Sequence, residues 1–308
     1  MKAKLEMRAC HHVEIITPKK VRLNGLWFGP ASTRIRSSTR GRPRKSKRTI
    51  IWVHGLASSM FSKQRIMERL AKKGIAVLAF NNRGHDAISR IAKVGEKRIA
   101  KSRWGGGAHE IFAECVDDID GAIGFARRAG AKEIFLVGHS TGCQKSIYWA
   151  YKRKGRGIKG IVLLAPMSDW AAEIHLKGKK RIDKNNAVAR ALVRNGRKHE
   201  LLPQKLWPGP IDAQRFLSLY TPDSIEEIFS YAQPKKNPRV LRSIQKPLLV
   251  ILAEKDEFAD RSAGRIADWF ARRLGKRIQA GVIADVSHSL KGGETKVTSL
   301  ILHWMRRL

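Results

Sequence analysis

Glu133-Ile134-Phe135-Leu136-Val137 runs directly into Gly138-His139-Ser140-Thr141-Gly142, and the reading of the whole chain turns on this junction. The first five residues are apolar and rich in β-formers, which predicts a short buried strand. Cys143 to Lys154 predicts a helix. A Gly-x-Ser-x-Gly pentapeptide between a strand and a helix is the setting of a nucleophile elbow. The turn is so sharp that only small residues fit two places either side of the serine. It lifts the hydroxyl clear of the sheet and turns the following backbone N–H groups toward one point.

Outward from this turn, apolar runs alternate with helical patterns. Strands are predicted at Thr49 to Val53, Ile75 to Phe80, Ile158 to Ala165, Pro247 to Ala253 and Ile278 to Ile283. Helices are predicted at Lys63 to Lys73, Ile111 to Ala129, Arg261 to Leu274 and within Leu290 to Leu308. His12 to Thr17 and Val21 to Phe28 form a hairpin pattern, and Ala31 to Arg48 is a polar, basic loop. Short apolar strands separated by helices predict an α/β architecture, with a mostly parallel sheet covered on both faces. From about Asp169 to Arg242 the rhythm breaks into a helical, basic, Pro-interrupted stretch with no evident strand. This predicts a helical cap, residues 169–242, inserted after the sixth core strand between core segments 1–168 and 243–308.

Composition limits the remaining choices. The 308 residues and 43% hydrophobic content support a full-sized core. Three cysteines, Cys10, Cys115 and Cys143, have no paired spacing, which argues against a disulfide framework or a structural zinc site. Met1 to His12 carries no apolar segment of the signal-peptide kind, and no run is long enough to span a membrane, so a cytoplasmic, reducing location is expected. Lys and Arg number 62 against 26 Asp and Glu, a formal charge of +36. The basic residues are densest at Arg34 to Arg48, Lys152 to Arg156 and Lys177 to Lys198, but they also run through the rest of the chain. No zinc-finger spacing, aromatic RNA-recognition signature or helix-turn-helix accompanies them. A solvated basic surface is expected, without a specific nucleic-acid partner. The sequence sets no oligomeric state.

A serine hydroxyl needs a base to take its proton and an acid to orient that base. Pro247 to Ala253 leads into Glu254-Lys255-Asp256-Glu257, and Ile283 leads into Ala284-Asp285-Val286-Ser287-His288. Ser140, Asp256 and His288 thus fall in order at the carboxyl ends of predicted strands, with Glu254, Glu257 and Asp260 as competing carboxylates. Thr49 to Val53 leads into His54-Gly55-Leu56, so the N–H groups of Leu56 and Thr141 are the candidate oxyanion donors. Such donors are worth about 3–4 kcal/mol each in acyl transfer. His54 is expected to be a turn residue without a direct role, His85 to shape the pocket edge, and Cys143 to be a small buried residue. Trp104-Gly105-Gly106-Gly107 lacks the Gly-Lys-Ser/Thr of a phosphate loop. No metal or organic cofactor is implied.

At this point the chain resembles the α/β-hydrolase superfamily over essentially its whole length, and more narrowly the fungal siderophore esterases and their relatives. The residues that carry the narrower likeness are Gly138-His139-Ser140-Thr141-Gly142-Cys143-Gln144, Cys115 to Ile119, Ala165 to Asp169, Pro210 to Leu219, and the loops around Asp256 and His288. The resemblance favours Asp256 over its neighbours. The chain departs from the fungal pattern in its positive charge and in Lys145, where an acidic residue is expected. The resemblance implies a serine esterase acting on a small-molecule ester. The basic cap suggests a substrate carrying negative charge, with Trp170, Trp207 and Phe216 as candidate apolar walls. The same triad also serves acyl transfer or the cleavage of thioesters, amides and carbon–carbon bonds. A polyanion-binding scaffold on a decayed hydrolase fold is the alternative from another class.

Overall fold

The computed structural model describes residues 10–29, 48–95 and 102–308. Most of the basic loop expected at Ala31 to Arg48 lies outside the described residues. The strands are β1 His11–Ile16, β2 Arg22–Phe28, β3 Arg48–Val53, β4 Ala76–Phe80, β5 Ser89–Ile91, β6 Arg103–Gly105, β7 Glu133–His139, β8 Gly160–Leu164, β9 Leu248–Ala253 and β10 Ile278–Ile283. The helices are α1 Gln64–Lys72, α2 Cys115–Arg128, α3 Thr141–Arg153, α4 Asp169–Lys177, α5 Lys179–Arg194, α6 Ala213–Tyr220, α7 Arg239–Arg242, α8 Ala263–Leu274 and α9 Glu294–Arg306.

Eight strands form one sheet in the order β1-β2-β4-β3-β7-β8-β9-β10, and β5 pairs with β6 in a small separate ribbon. From β4 to β10 every pairing in the main sheet is parallel, while β2 runs antiparallel to both β1 and β4. Alternation along each strand divides the core into two layers. Ile51 and Val53 of β3 and Ile134 and Leu136 of β7 face α2, α3 and α8. Ile50, Trp52, Phe135 and Val137 face α1 and α9 on the other side. Burial on both faces explains why β4 and β8 read as continuous apolar runs.

Between β8 and β9 the chain forms α4 to α7 and builds a third apolar cluster, including Ile182, Leu202, Trp207, Ile211, Phe216 and Tyr220. Buried charges hold this segment to the loop after β6 and, through it, to α3. Arg215 of α6 is fully buried and meets Glu226 and, at 2.8 Å, Glu110 in the loop after β6. Glu110 also pairs with Lys145 of α3 at 2.5 Å. Burial alone would push Glu110 upward, but the Lys145 and Arg215 charges outweigh it and hold the carboxyl below the ordinary range. A second buried pairing joins Arg83 to Asp117 and Asp118 of α2, which gives the acidic pair in Cys115 to Ile119 a structural task. Among the described residues no helix is long and apolar enough to cross a membrane.

Removing one partner of a buried ion pair strands the other charge, at a cost of about 3–5 kcal/mol. Arg215→Met should lower the unfolding free energy by that amount in equilibrium denaturation. The double variant Arg215→Met, Glu226→Leu should recover part of the loss, because one stranded carboxylate is gone.

Candidate active site

The parallel strands deliver their carboxyl ends to one edge of the sheet, and the sequence-predicted residues lie along it. Ser140 follows β7 directly and has φ 55° and ψ −128°. A non-glycine residue held there costs about 1–3 kcal/mol and persists only where its surroundings over-determine it. The flanking glycines supply that determination. A Cβ on Gly138 would lie 2.3 Å from the Gly142 carbonyl oxygen, and one on Gly142 would lie 2.1 Å from that of Val53. The Ser140 N–H donates to the Leu164 carbonyl at 3.0 Å, tying the turn to β8.

His288 is gripped at three points. Its Nδ1 lies 2.8 Å from Asp256 Oδ2, its N–H donates to Glu257 Oε2 at 2.8 Å, and its carbonyl lies 3.0 Å from His139 Nε2. Burial, reinforced by the charges of Lys63 and His288, holds His139 well below the ordinary histidine range, so the ring is neutral and donates to that carbonyl. Phe258 packs edge-on against the His288 ring, with centroids 4.9 Å apart. Of the competing carboxylates, Glu254 accepts from the Asp285 N–H, Glu257 from the His288 N–H, and Asp260 pairs with Arg261. Asp256 is the one that meets the imidazole. The Ser140 hydroxyl points to Met167 Sδ at 3.8 Å, leaving His288 Nε2 without a hydrogen bond among the described residues.

The His54-Gly55-Leu56 turn lies against the serine, since a Cβ on Gly55 would come within 2.9 Å of Ser140 Cβ. His54 fixes this turn. The Asn82 N–H donates to its Nε2 at 3.2 Å, so the proton sits on Nδ1, which donates to the Gly55 carbonyl at 2.8 Å. Gly55 C=O and Leu56 N–H belong to one peptide plane, and anchoring the oxygen sets where the N–H points. The N–H groups of Leu56 and Thr141 donate to no acceptor among the described residues. Burial, aided by the nearby Lys145 charge, drives His54 down to about 3.

A pocket of about 290 Å³ opens over Ser140, and its walls include Leu56, Lys63, Met167, Asp169, Tyr220 and Phe258 as well as His288. None of the aromatics expected to wall it, Trp170, Trp207 and Phe216, lines this pocket. Trp207 and Phe216 stack on each other and on Tyr220 inside the third apolar cluster, and Trp170 packs against the main core. The aromatic that reaches the pocket from α6 is Tyr220, at the helix's last position. His85, expected at the pocket edge, does not line this pocket and sits in a turn with Nδ1 3.0 Å from its neighbour Asp86, while Cys143 is fully buried. The sequence reading missed His139, Lys63 and Phe258, and weighed Glu257 only as a competing acid. All four flank predicted catalytic positions or helix starts, which is the only signal they carried.

A family model described as a protein of unknown function (DUF1749) matches residues 96–305. The chain belongs to that family. No curated protein matches it by sequence. Among solved structures, the esterase Pf2001 of Pyrococcus furiosus is 20% identical with a TM-score of 0.59, the match covering 97% of this chain and 91% of that one. Est1E of Butyrivibrio proteoclasticus with ferulic acid bound is 15% identical with a TM-score of 0.60, covering 95% and 98%. DcsB in complex with its substrate analogue is 14% identical with a TM-score of 0.64, covering 97% and 99%. At these identities the likeness establishes the fold: the DUF1749 chain has the α/β-hydrolase fold.

A histidine buried neutral gives stability a fixed pH sign. The unfolded chain protonates His54 below its ordinary 6.5, and the folded chain only near 3, so the unfolded state holds the extra proton between those values and stability falls as pH drops through the window. His54→Gln should remove about 1.4 kcal/mol per pH unit from that slope. Urea denaturation of both proteins at several pH values between 4 and 6 measures the difference, and parallel slopes would show that His54 is not the group involved. Comparing the two proteins cancels the opposite contribution of Asp118 and Glu227, whose carboxyls burial raises to about 6 and about 7.

Proposed function

We propose that this chain is a serine esterase that cleaves carboxylic esters through an acyl-enzyme. Ser140 is the nucleophile, His288 the base, Asp256 the orienting acid, and the N–H groups of Leu56 and Thr141 hold the oxyanion. The observation that carries the reading is the contact of His288 Nδ1 with Asp256 Oδ2 at 2.8 Å, on a loop that shares the pocket wall with Ser140. The esterase neighbours with the same fold support the reaction class, and the likeness of residues 138–144 to fungal siderophore esterases supports the narrower kinship. In this reading residues 169–242 form a cap over the site, between core segments 1–168 and 243–308.

The reaction begins when the Ser140 hydroxyl turns from Met167 Sδ to His288 Nε2. The oxygen attacks the ester carbonyl as Nε2 takes its proton, and Asp256 stabilises the imidazolium. The tetrahedral oxyanion rests on the two N–H groups, where each donor is worth about 3–4 kcal/mol. Collapse breaks the bond to the alcohol, and Nε2 returns the proton to the leaving oxygen. Water then enters, gives a proton to Nε2, attacks the acyl-serine and releases the acid. The strained turn aids the first step, because the serine needs no backbone rearrangement to reach the substrate.

Ser140→Ala should abolish labelling by a fluorophosphonate probe and turnover of p-nitrophenyl acetate. Asp256→Asn should lower kcat by roughly 10³–10⁴-fold, because the imidazole then takes the wrong tautomer. A Ser140→Ala protein that still turns over the ester would refute this mechanism.

A further inference from the structure

The pocket over Ser140 carries three charged groups besides its histidines: Lys63, Asp169 and Glu173. Two of them are already spoken for. Glu173 Oε2 lies 2.9 Å from Lys177 Nζ. Asp169 accepts from Gln144 Nε2 at 2.7 Å, and burial, with Glu226 and Glu227 nearby, pushes its carboxyl well above the ordinary range. That shift works against a negative charge on Asp169 in the cavity. Lys63 stands differently. It is half-buried and forms no ion pair among the described residues, and its one acceptor is the Ser289 carbonyl at 2.5 Å. An ammonium has three donors, so two remain for whatever enters the pocket. Ser58 lines the same pocket, and so does Ser62, whose hydroxyl already donates to the Ser59 carbonyl at 2.9 Å.

Lys63 is also held there by its backbone. It caps α1 in a left-handed conformation, φ 60°, that an L-residue with a side chain seldom adopts. Its carbonyl accepts from the N–H groups of Ile66 and Met67, so the start of the helix fixes where the side chain leaves the chain. A partly desolvated cation without a carboxylate is costly unless a counter-charge arrives. Burial duly lowers Lys63 from the ordinary lysine value, with Glu294 and Glu257 opposing the shift from beyond ion-pair distance.

We propose that Lys63 is the anion subsite of this pocket, and that the substrate class is the monoester of a short dicarboxylic acid: its free carboxylate sits on Lys63 Nζ while its ester carbonyl meets Ser140. This rests on the esterase reading above. It gives the overall positive charge a local counterpart, because a field of this sign concentrates anions at the mouth and Lys63 selects among them within. The cavity of about 290 Å³ favours short acids. No atom beyond substrate and water enters the reaction: one carboxylate binds, and the other acyl end is transferred to Ser140 and then to water.

The test pairs binding with turnover. Ser140→Ala protein, which cannot consume the ester, is titrated with monoethyl succinate by calorimetry, with diethyl succinate as the neutral control. Saturable binding of the monoester, absent in Ser140→Ala, Lys63→Met, is expected, and it must weaken with added salt. In the catalytically intact protein, Lys63→Met should lower the ratio of kcat/KM for monoethyl succinate over ethyl pentanoate about ten- to hundredfold, mostly through KM, and Lys63→Arg should restore most of it. Equal losses on both esters would mean that Lys63 only braces the Ser289 carbonyl, and would overturn the proposal. So would monoester binding that is indifferent to Lys63. If the monoester binds through Lys63 while no ester is turned over, the esterase reading fails and the subsite stands.

Discussion

The carbonyl oxygen of Val53 presses on the turn at Ser140, and the site depends on that contact. Parallel pairing sets Val53 opposite Gly138, so β3 ends where the turn begins. With only 2.1 Å between a would-be Gly142 Cβ and that oxygen, no side chain larger than hydrogen is accommodated there. The chain must therefore leave β7 in a single strained residue and enter α3 at once. The same closeness carries His54, Gly55 and Leu56 to the serine, because they are the next residues of β3. The proposed nucleophile and one proposed oxyanion donor are neighbours through sheet register, although 84 positions apart in sequence.

A buried chain of polar contacts extends from that edge into the segment between β8 and β9. Arg215 meets Glu110, Glu110 meets Lys145, and Lys145 Nζ donates to Asn82 Oδ1 at 3.2 Å. The Asn82 N–H holds His54, and His54 holds the Gly55 carbonyl. Lys145, where the resemblance led to an acid, thereby has its partners. Two cations, Lys145 and Arg215, face two carboxylates, Glu110 and Glu226, and an acid at 145 would leave three negative charges around one arginine. Buried pairs of this kind add little net stability, but they penalise every arrangement in which the partners separate. That penalty fixes α6 against the loop after β6 and keeps the His54 turn from drifting.

Much of the fold is legible in the sequence because both layers of the core are written as alternation and continuous apolar runs. Thr49 to Val53 and Glu133 to Val137 carry burial on both faces, and strands of that kind occur in few architectures. Ser140, Asp256 and His288 are legible because each sits one short loop beyond a recognisable strand. The walls of the pocket are not. Trp207 in the loop before α6 and Phe216 and Tyr220 on α6 have similar chemistry, and only packing decides that the first two stack inside while the third also reaches the cavity. Glu257 and His139 act on His288 through its backbone, a contact that no residue pattern encodes. Lys63 is one lysine among many, and its isolation from carboxylates becomes visible only once its neighbours are placed.

Charge shows most clearly how sequence and structure divide the work. A formal +36 is a property of composition, and salt screens it beyond about 8 Å at physiological ionic strength. Such a field can raise the arrival rate of an anion, yet it cannot choose one anion over another. Selection requires a cation that water does not fully reach and that the protein has not already neutralised. On the α4 side of the pocket Glu173 is paired with Lys177 and burial pushes the Asp169 carboxyl upward, which lessens the negative charge facing an incoming anion. In the proposed anion subsite the discriminating quantity is therefore the pairing state of three pocket residues, with substrate choice set by the local balance at the sheet edge and encounter by the surface charge.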